Sequence, residues 1–169
     1  MPKGTAVEKR LLQLAGEYAV AAQMALHGWH ASLTVGNFPE IDIVAYKPET
    51  GKRVTVQVKT ARKRDWPVGY FERTPTDYRV WGITEEADVY ILVHLPEKDM
   101  MKVEFFVIEP KQLKELCERA VASLPPPRET SGKPRVLPMW ERWKKVCPDV
   151  WDEFFACKDR WDLLDEVAK

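Results

Sequence analysis

A chain of 169 residues with 45% apolar content is long enough to bury a full hydrophobic core in one domain, with room for a small appendage. Its 26 basic and 26 acidic side chains leave a formal net charge of zero, which excludes nucleic-acid binding driven by bulk charge and requires any such contact to come from a local patch. No apolar run reaches membrane-span length, the start MPKGTAVEKR lacks a secretory apolar block, and Cys117, Cys147 and Cys157 are too few and too scattered for a disulfide framework or a zinc knuckle, so a cytoplasmic location is expected.

From about Thr5 to His27 the chain reads as a long helix rich in Ala and Leu and stopped by Gly28. Val7, Leu11, Leu14, Ala15, Tyr18, Ala22 and Leu26 recur at helical spacing and are expected to face a sheet, with Gly16 permitting close approach. Glu8 and Glu17 fall on opposite sides of this helix, so only one of them can look into a site on that sheet.

Trp29 to Val35 is expected as a first strand, and Ile41 to Arg64 as a hairpin closed by Lys47-Pro48-Glu49-Thr50-Gly51-Lys52. Alternation places Ile43 and Ala45 on one face with Val54, Val56 and Val58, and gathers Asp42, Gln57 and Lys59 on the other. An acid, an amide and an amine on adjacent strands form a candidate site, and Arg62, Lys63 and Arg64 follow at its exit. For an isolated basic run a solvated loop is the plain alternative; beside such a cluster, contact with DNA phosphates is the functional one. Trp66, Tyr70 and Phe71 either support that loop or stack on unpaired bases.

Asp65 to Glu86 is ambiguous, with a short edge strand or loop at WPVGYF and a turn of helix within TPTDYRVWGITEE. Ala87 to Leu95 is an almost unbroken apolar run, expected as a central strand, with Lys102 to Ile108 as its hairpin partner and a helix opened by Pro110 and running to about Ala122. This divides the chain into a core over 1–123, a Pro-rich linker or arm over 124–138, and a helical extension over 139–169. The extension carries Trp140, Trp143, Trp151 and Trp161, which pack on the core or form an oligomer interface.

Hydrolysis of a phosphodiester needs a divalent cation to neutralise phosphoryl oxygens and acidify a water, and magnesium takes one or two carboxylates together with other oxygens. Asp42, Gln57, the Val58 carbonyl and Glu17 are the available oxygen donors, and Lys59 is placed to stabilise developing charge. In this order of residues the chain resembles the PD-(D/E)XK nuclease superfamily: Glu17 on the first helix, eleven residues before Gly28-Trp29; Asp42 on the second strand; Gln57-Val58-Lys59 on the third. Archaeal Holliday-junction resolvases and modification-dependent restriction enzymes are the similar families. The resemblance covers approximately Gly4 to Ile108. Ile41 stands where proline is usual, and Gln57 replaces the usual carboxylate of the third motif.

What the resemblance implies is a restriction-endonuclease-like α/β fold, a mixed sheet flanked by helices. It further implies a DNA endonuclease of repair, recombination or restriction that uses Mg2+ or Mn2+, with Glu17, Asp42, Gln57 and Lys59 catalytic. The metal would sit among Asp42, Gln57, Val58 and Glu17, the DNA would meet Arg62, Lys63 and Arg64, and a homodimer is compatible. A catalytically silent module that keeps the fold and binds nucleic acid or protein is the alternative.

Overall fold

A computed structural model describes residues 5–34, 40–73, 76–96, 100–125 and 134–169. Helix α1 (Ala6–Leu26) is capped at both ends by its own sequence. Thr5 and Glu8 form a reciprocal capping box, with Thr5 N–H donating to Glu8 Oε2 at 2.7 Å and Glu8 N–H to Thr5 Oγ1 at 3.2 Å. At the other end Gly28, at φ 82°, allows Trp29 N–H to reach the Met24 carbonyl and Gly28 N–H the Ala25 carbonyl, closing a Schellman turn. Trp29 and Met24 are both buried there, the apolar contact that accompanies this turn.

The main sheet holds five strands in the order β1 (His30–Leu33), β2 (Ile43–Tyr46), β3 (Arg53–Ala61), β6 (Val89–His94) and β7 (Glu104–Ile108). The pairing of β3 with β6 is parallel and the others are antiparallel, so the sheet is mixed. Strand β6 is buried on both faces, as its unbroken apolar run requires. Between β3 and β6 the chain forms β4 (Asp65–Arg73) and β5 (Tyr78–Trp81), which join β8 (Arg135–Trp140) in a second sheet of order β5-β4-β8. Much of the ambiguous stretch is therefore strand. WPVGYF lies in the central strand of that small sheet rather than at an edge, and part of TPTDYRVWGITEE is β5 rather than helix, because β8 returns from far along the chain to pair with β4.

Residues 135–138, read from the sequence as the end of a linker or arm, thus belong to a strand, with Leu137 fully buried; most of the preceding Pro-rich stretch lies outside the described residues. Helices α2 (Pro110–Ala122), α3 (Trp143–Val146) and α4 (Pro148–Phe155) complete one core with the small sheet, where Trp66, Phe106, Trp151 and Phe154 interlock. On the other face of the main sheet α1 packs with Trp161 and with Leu163 and Leu164 of α5 (Leu163–Val167).

One expectation is overturned in α1. Most of the stripe assigned to the sheet faces outward: Val7, Leu11, Tyr18 and Leu26 are exposed, and of its members Ala15 packs against the core, whereas Gly16, Glu17, Ala19, Val20 and Met24 are buried. The helix is apolar on two sides, and the side with the small residues docks. Gly16 decides this, because a Cβ there would lie 1.8 Å from Thr60 Oγ1 of β3. The helix backbone approaches the sheet along that line, and bulkier residues must point elsewhere.

Candidate active site

Strand β2 pairs with β3 only as far as Ile43 opposite Val56, so beyond that point the β2-side edge of β3 lies open. Asp42, just before β2, sends its carboxylate along this edge: Oδ2 accepts a hydrogen bond from Val58 N–H at 2.7 Å and a second, short one from Gln57 Nε2. The next groups on the edge are taken by α1. Gln13 Nε2 donates to the Val58 carbonyl at 2.8 Å, and Gln13 Oε1 accepts from Thr60 N–H at 3.2 Å, so one amide side chain imitates the missing strand.

Glu17 lies one turn further along the same helix face. It is only 5% exposed, and its Oε1 has no hydrogen-bond partner among the described residues. Since α1 covers the valine face of β3 and Gln57 and Lys59 project from the opposite one, Glu17 and Asp42 face each other's charge around the open edge rather than across a shared sheet face. Burial raises the pKa of Glu17, the Asp42 charge raises it further, and contacts with Gln13 and Arg10 only partly offset this. The Asp42 carboxyl is likewise raised by burial, against the Val58 N–H, the charges of Lys59 and Arg10, and the Gln57 amide, all of which favour its ionised form. Two acids held above their ordinary range, one with a bare buried oxygen, form a pair of oxygen donors whose burial the charges of Arg10 and Lys59 only partly offset.

The donor set fits a hard divalent cation taking one or two carboxylates and a carbonyl, with water and phosphate for the remainder. Among the described residues no group of three or more His, Cys, Asp or Glu side chains converges on a metal position, so an all-protein cage is not available. Gln57, expected from the sequence as an oxygen donor, here presents its amide nitrogen. It is 5% exposed and turns its amide nitrogen towards Asp42, which orients that carboxylate. Lys59 lies on the Gln57 face, close enough for its charge to act on Asp42.

No family model matches the chain, and no curated protein matches it. Among solved structures a bacterial homing endonuclease, I-Ssp6803I, is similar at 15% identity and a TM-score of 0.46, over 64% of this chain and 71% of that one. A likeness so distant leaves the site to be argued from its own geometry.

The basic run divides. Arg62 and Lys63 are exposed, with Arg62 Nη1 donating to the Leu95 carbonyl at 3.3 Å. Arg64 is engaged elsewhere, paired through two nitrogens with Glu104 and through a third with Glu141 at 3.2 Å. Among the aromatic residues after it, Trp66 is fully buried and donates to the Val93 carbonyl at 2.8 Å, and Phe71 packs on the core; Tyr70 is exposed and stacks on Trp81. Sequence reading missed Arg10 and Gln13 at the site, and the Glu40 contact that ties the turn before Asp42 to Thr84. The first two were legible as the i−7 and i−4 neighbours of Glu17 on one helix side. Glu40, at φ 73° and bonded through its carboxylate to Thr84 Oγ1, had no local signal because Thr84 is brought to it from beyond the small sheet.

Proposed function

We propose that the chain is a divalent-cation-dependent endonuclease hydrolysing DNA phosphodiester bonds. The observation that carries this reading is the buried, unpartnered Glu17 oxygen set against Asp42 at the open edge of β3. Glu17, Asp42 and the Val58 carbonyl, which accepts from Gln13 at 2.8 Å and only distantly from Gln57 at 3.4 Å, would hold Mg2+ or Mn2+, which when bound supplies neutralisation of phosphoryl oxygens and an acidified water. Gln13 holds the Val58 carbonyl and Gln57 holds the Asp42 carboxylate, so both donors are fixed before any ligand arrives. Lys59 would meet negative charge building on the phosphoryl group, and Arg10, Arg62 and Lys63 would position backbone phosphates.

Incubation of supercoiled and branched DNA with Mg2+ or Mn2+ tests the reading. Asp42→Ala and Lys59→Ala are expected to lower the cleavage rate by about 10²-fold or more. Wild-type rates in both variants would refute it.

A second reading, a catalytically silent module of the same fold, is favoured by one observation. Asp42 Oδ2 already accepts two hydrogen bonds, so this carboxylate has partners without a cation. That reading requires DNA or protein binding unaffected by EDTA and by Asp42→Ala, with no Mn2+ binding by titration calorimetry.

A further inference from the structure

We propose that the outward stripe of α1 pairs with the same stripe of a second copy, the two helices running near-antiparallel about a two-fold axis between Gly16 and Glu17. Val7, Leu11, Leu14, Tyr18, Ala22 and Leu26 follow one another at intervals of three or four residues and lie on the side of the helix opposite Gly16, Val20 and Met24. Val7, Leu11, Tyr18 and Leu26 are 67, 59, 61 and 79% exposed. A helix that buries one apolar face in its own core and shows another to water has a second surface to cover.

The occupant follows from three features. Area comes first: these four side chains offer on the order of 500 Å² per chain, and with Leu14, Ala22 and Ala25 two copies together bury roughly 1,000–1,300 Å², just above the lower limit for a specific interface. Size pairing comes second. About the stated axis Leu11 faces Ala22 of the second copy, Val7 faces Leu26, and Tyr18 lies over the rim of the stripe at Ala15, a small residue partly buried against its own core, so large residues meet small ones at the centre and the ends close on aliphatic pairs. A parallel pairing would set Tyr18 on Tyr18 and Ala22 on Ala22, leaving a bulge beside a gap, and would align the two helix dipoles unfavourably. Charge comes third: from Leu11 to Leu26 the stripe carries no ionisable group except the Tyr18 phenol, so self-pairing meets no like-charge repulsion and a polyanion finds nothing to hold.

Sedimentation of the full chain is expected to show a monomer–dimer equilibrium with a dissociation constant of about 1–100 μM, consistent with so small an interface. Leu11→Glu with Tyr18→Glu is expected to weaken dimerisation at least 100-fold at unchanged circular dichroism, both positions being exposed in the monomer. Register is read by oxidative cross-linking, with Cys117, Cys147 and Cys157 all buried and out of reach. Leu11→Cys with Ala22→Cys should give a covalent dimer, while Leu11→Cys with Leu26→Cys should not; within one helix either pair is too far apart to bridge. A chain still monomeric at 200 μM overturns the proposal, as does a dimer indifferent to both glutamates or one cross-linking equally in both cysteine pairs.

Discussion

At Glu17 local chemistry and stability pull in opposite directions. Its carboxyl is buried, lacks a partner for one oxygen and feels the Asp42 charge, so its folded-state pKa lies above the ordinary value. The resulting penalty is fully present at pH values above that raised pKa and disappears as pH falls below the unfolded carboxyl range, where Glu17 is protonated in both states. Glu17→Gln is therefore expected to stabilise the cation-free protein at pH 7–8 by about 1 kcal/mol, a rise of roughly 2–4 °C in Tm. The gain should vanish near pH 4, and thermal scans across pH check both halves. Since a cation must displace the protons, affinity for Mn2+ should rise with pH, and Glu17→Gln should make the rise shallower, leaving the part due to Asp42. Gln57 shows what residue identity alone leaves open. An amide offers either its oxygen or its nitrogen, and the acceptor oxygen of Asp42 takes the nitrogen.

At the scale of elements, α1 and β3 form one unit. The helix supplies Gln13 and Glu17 to the open edge of the strand, and the position of both depends on the close approach at Gly16. Gly16→Ala would force a Cβ into Thr60 Oγ1 at 1.8 Å and into Thr60 Cβ and Cγ2 at 2.9 Å. It is expected to cost about 1–3 kcal/mol by overpacking and to remove the Gln13 bonds to β3, lowering both Tm and Mn2+ affinity. Thr60→Ala removes Oγ1 and Cγ2 but leaves the Cβ contact at 2.9 Å, so the double variant should recover part of the stability. If Gly16→Ala melts at the wild-type temperature, α1 does not dock on this line. The same contact explains why helical periodicity, which located α1 and both its caps, assigned the wrong face. Two apolar stripes satisfy the same spacing rule, and close approach to the sheet is a property of the pair.

In the whole molecule a polar knot at Glu104 ties the main sheet to the start of β4 and to the segment after α4. Glu104 on β7 accepts from Arg64 after β3, from Lys158 after α4, and bonds His94 of β6 at 2.7 Å. Burial pushes this carboxyl up, but the hydrogen bonds from His94, Lys158 and Arg64 outweigh it and hold the pKa at about 2. A depressed carboxyl contributes stability that is complete above its unfolded pKa, near 4.5, and is lost as pH falls from there towards 2. Glu104→Gln is thus expected to cost up to roughly 3 kcal/mol at pH 7 and progressively less below pH 4.5, as followed by urea unfolding. A pH-independent loss would show that packing rather than charge sets the contribution of Glu104. The knot also withdraws Arg64 from the basic run, which no property of Lys63-Arg64-Asp65 in isolation reveals.

The limits of the sequence follow the range of the forces involved. Alternation in Ile41–Lys59, the unbroken run at β6 and the caps of α1 are short-range consequences of backbone geometry and side-chain size, so β1, β2, β3, β6, β7 and α2 were legible within a residue or two, as were Asp42, Gln57 and Lys59 as near neighbours. The small sheet was not, since β4 becomes a central strand only when β8 arrives from the other end of the chain. The open edge of β3, the choice of face on α1 and the bare oxygen of Glu17 were hidden for the same reason. Each is a meeting of groups far apart in the chain, where burial, rather than any local preference, decides what a side chain touches.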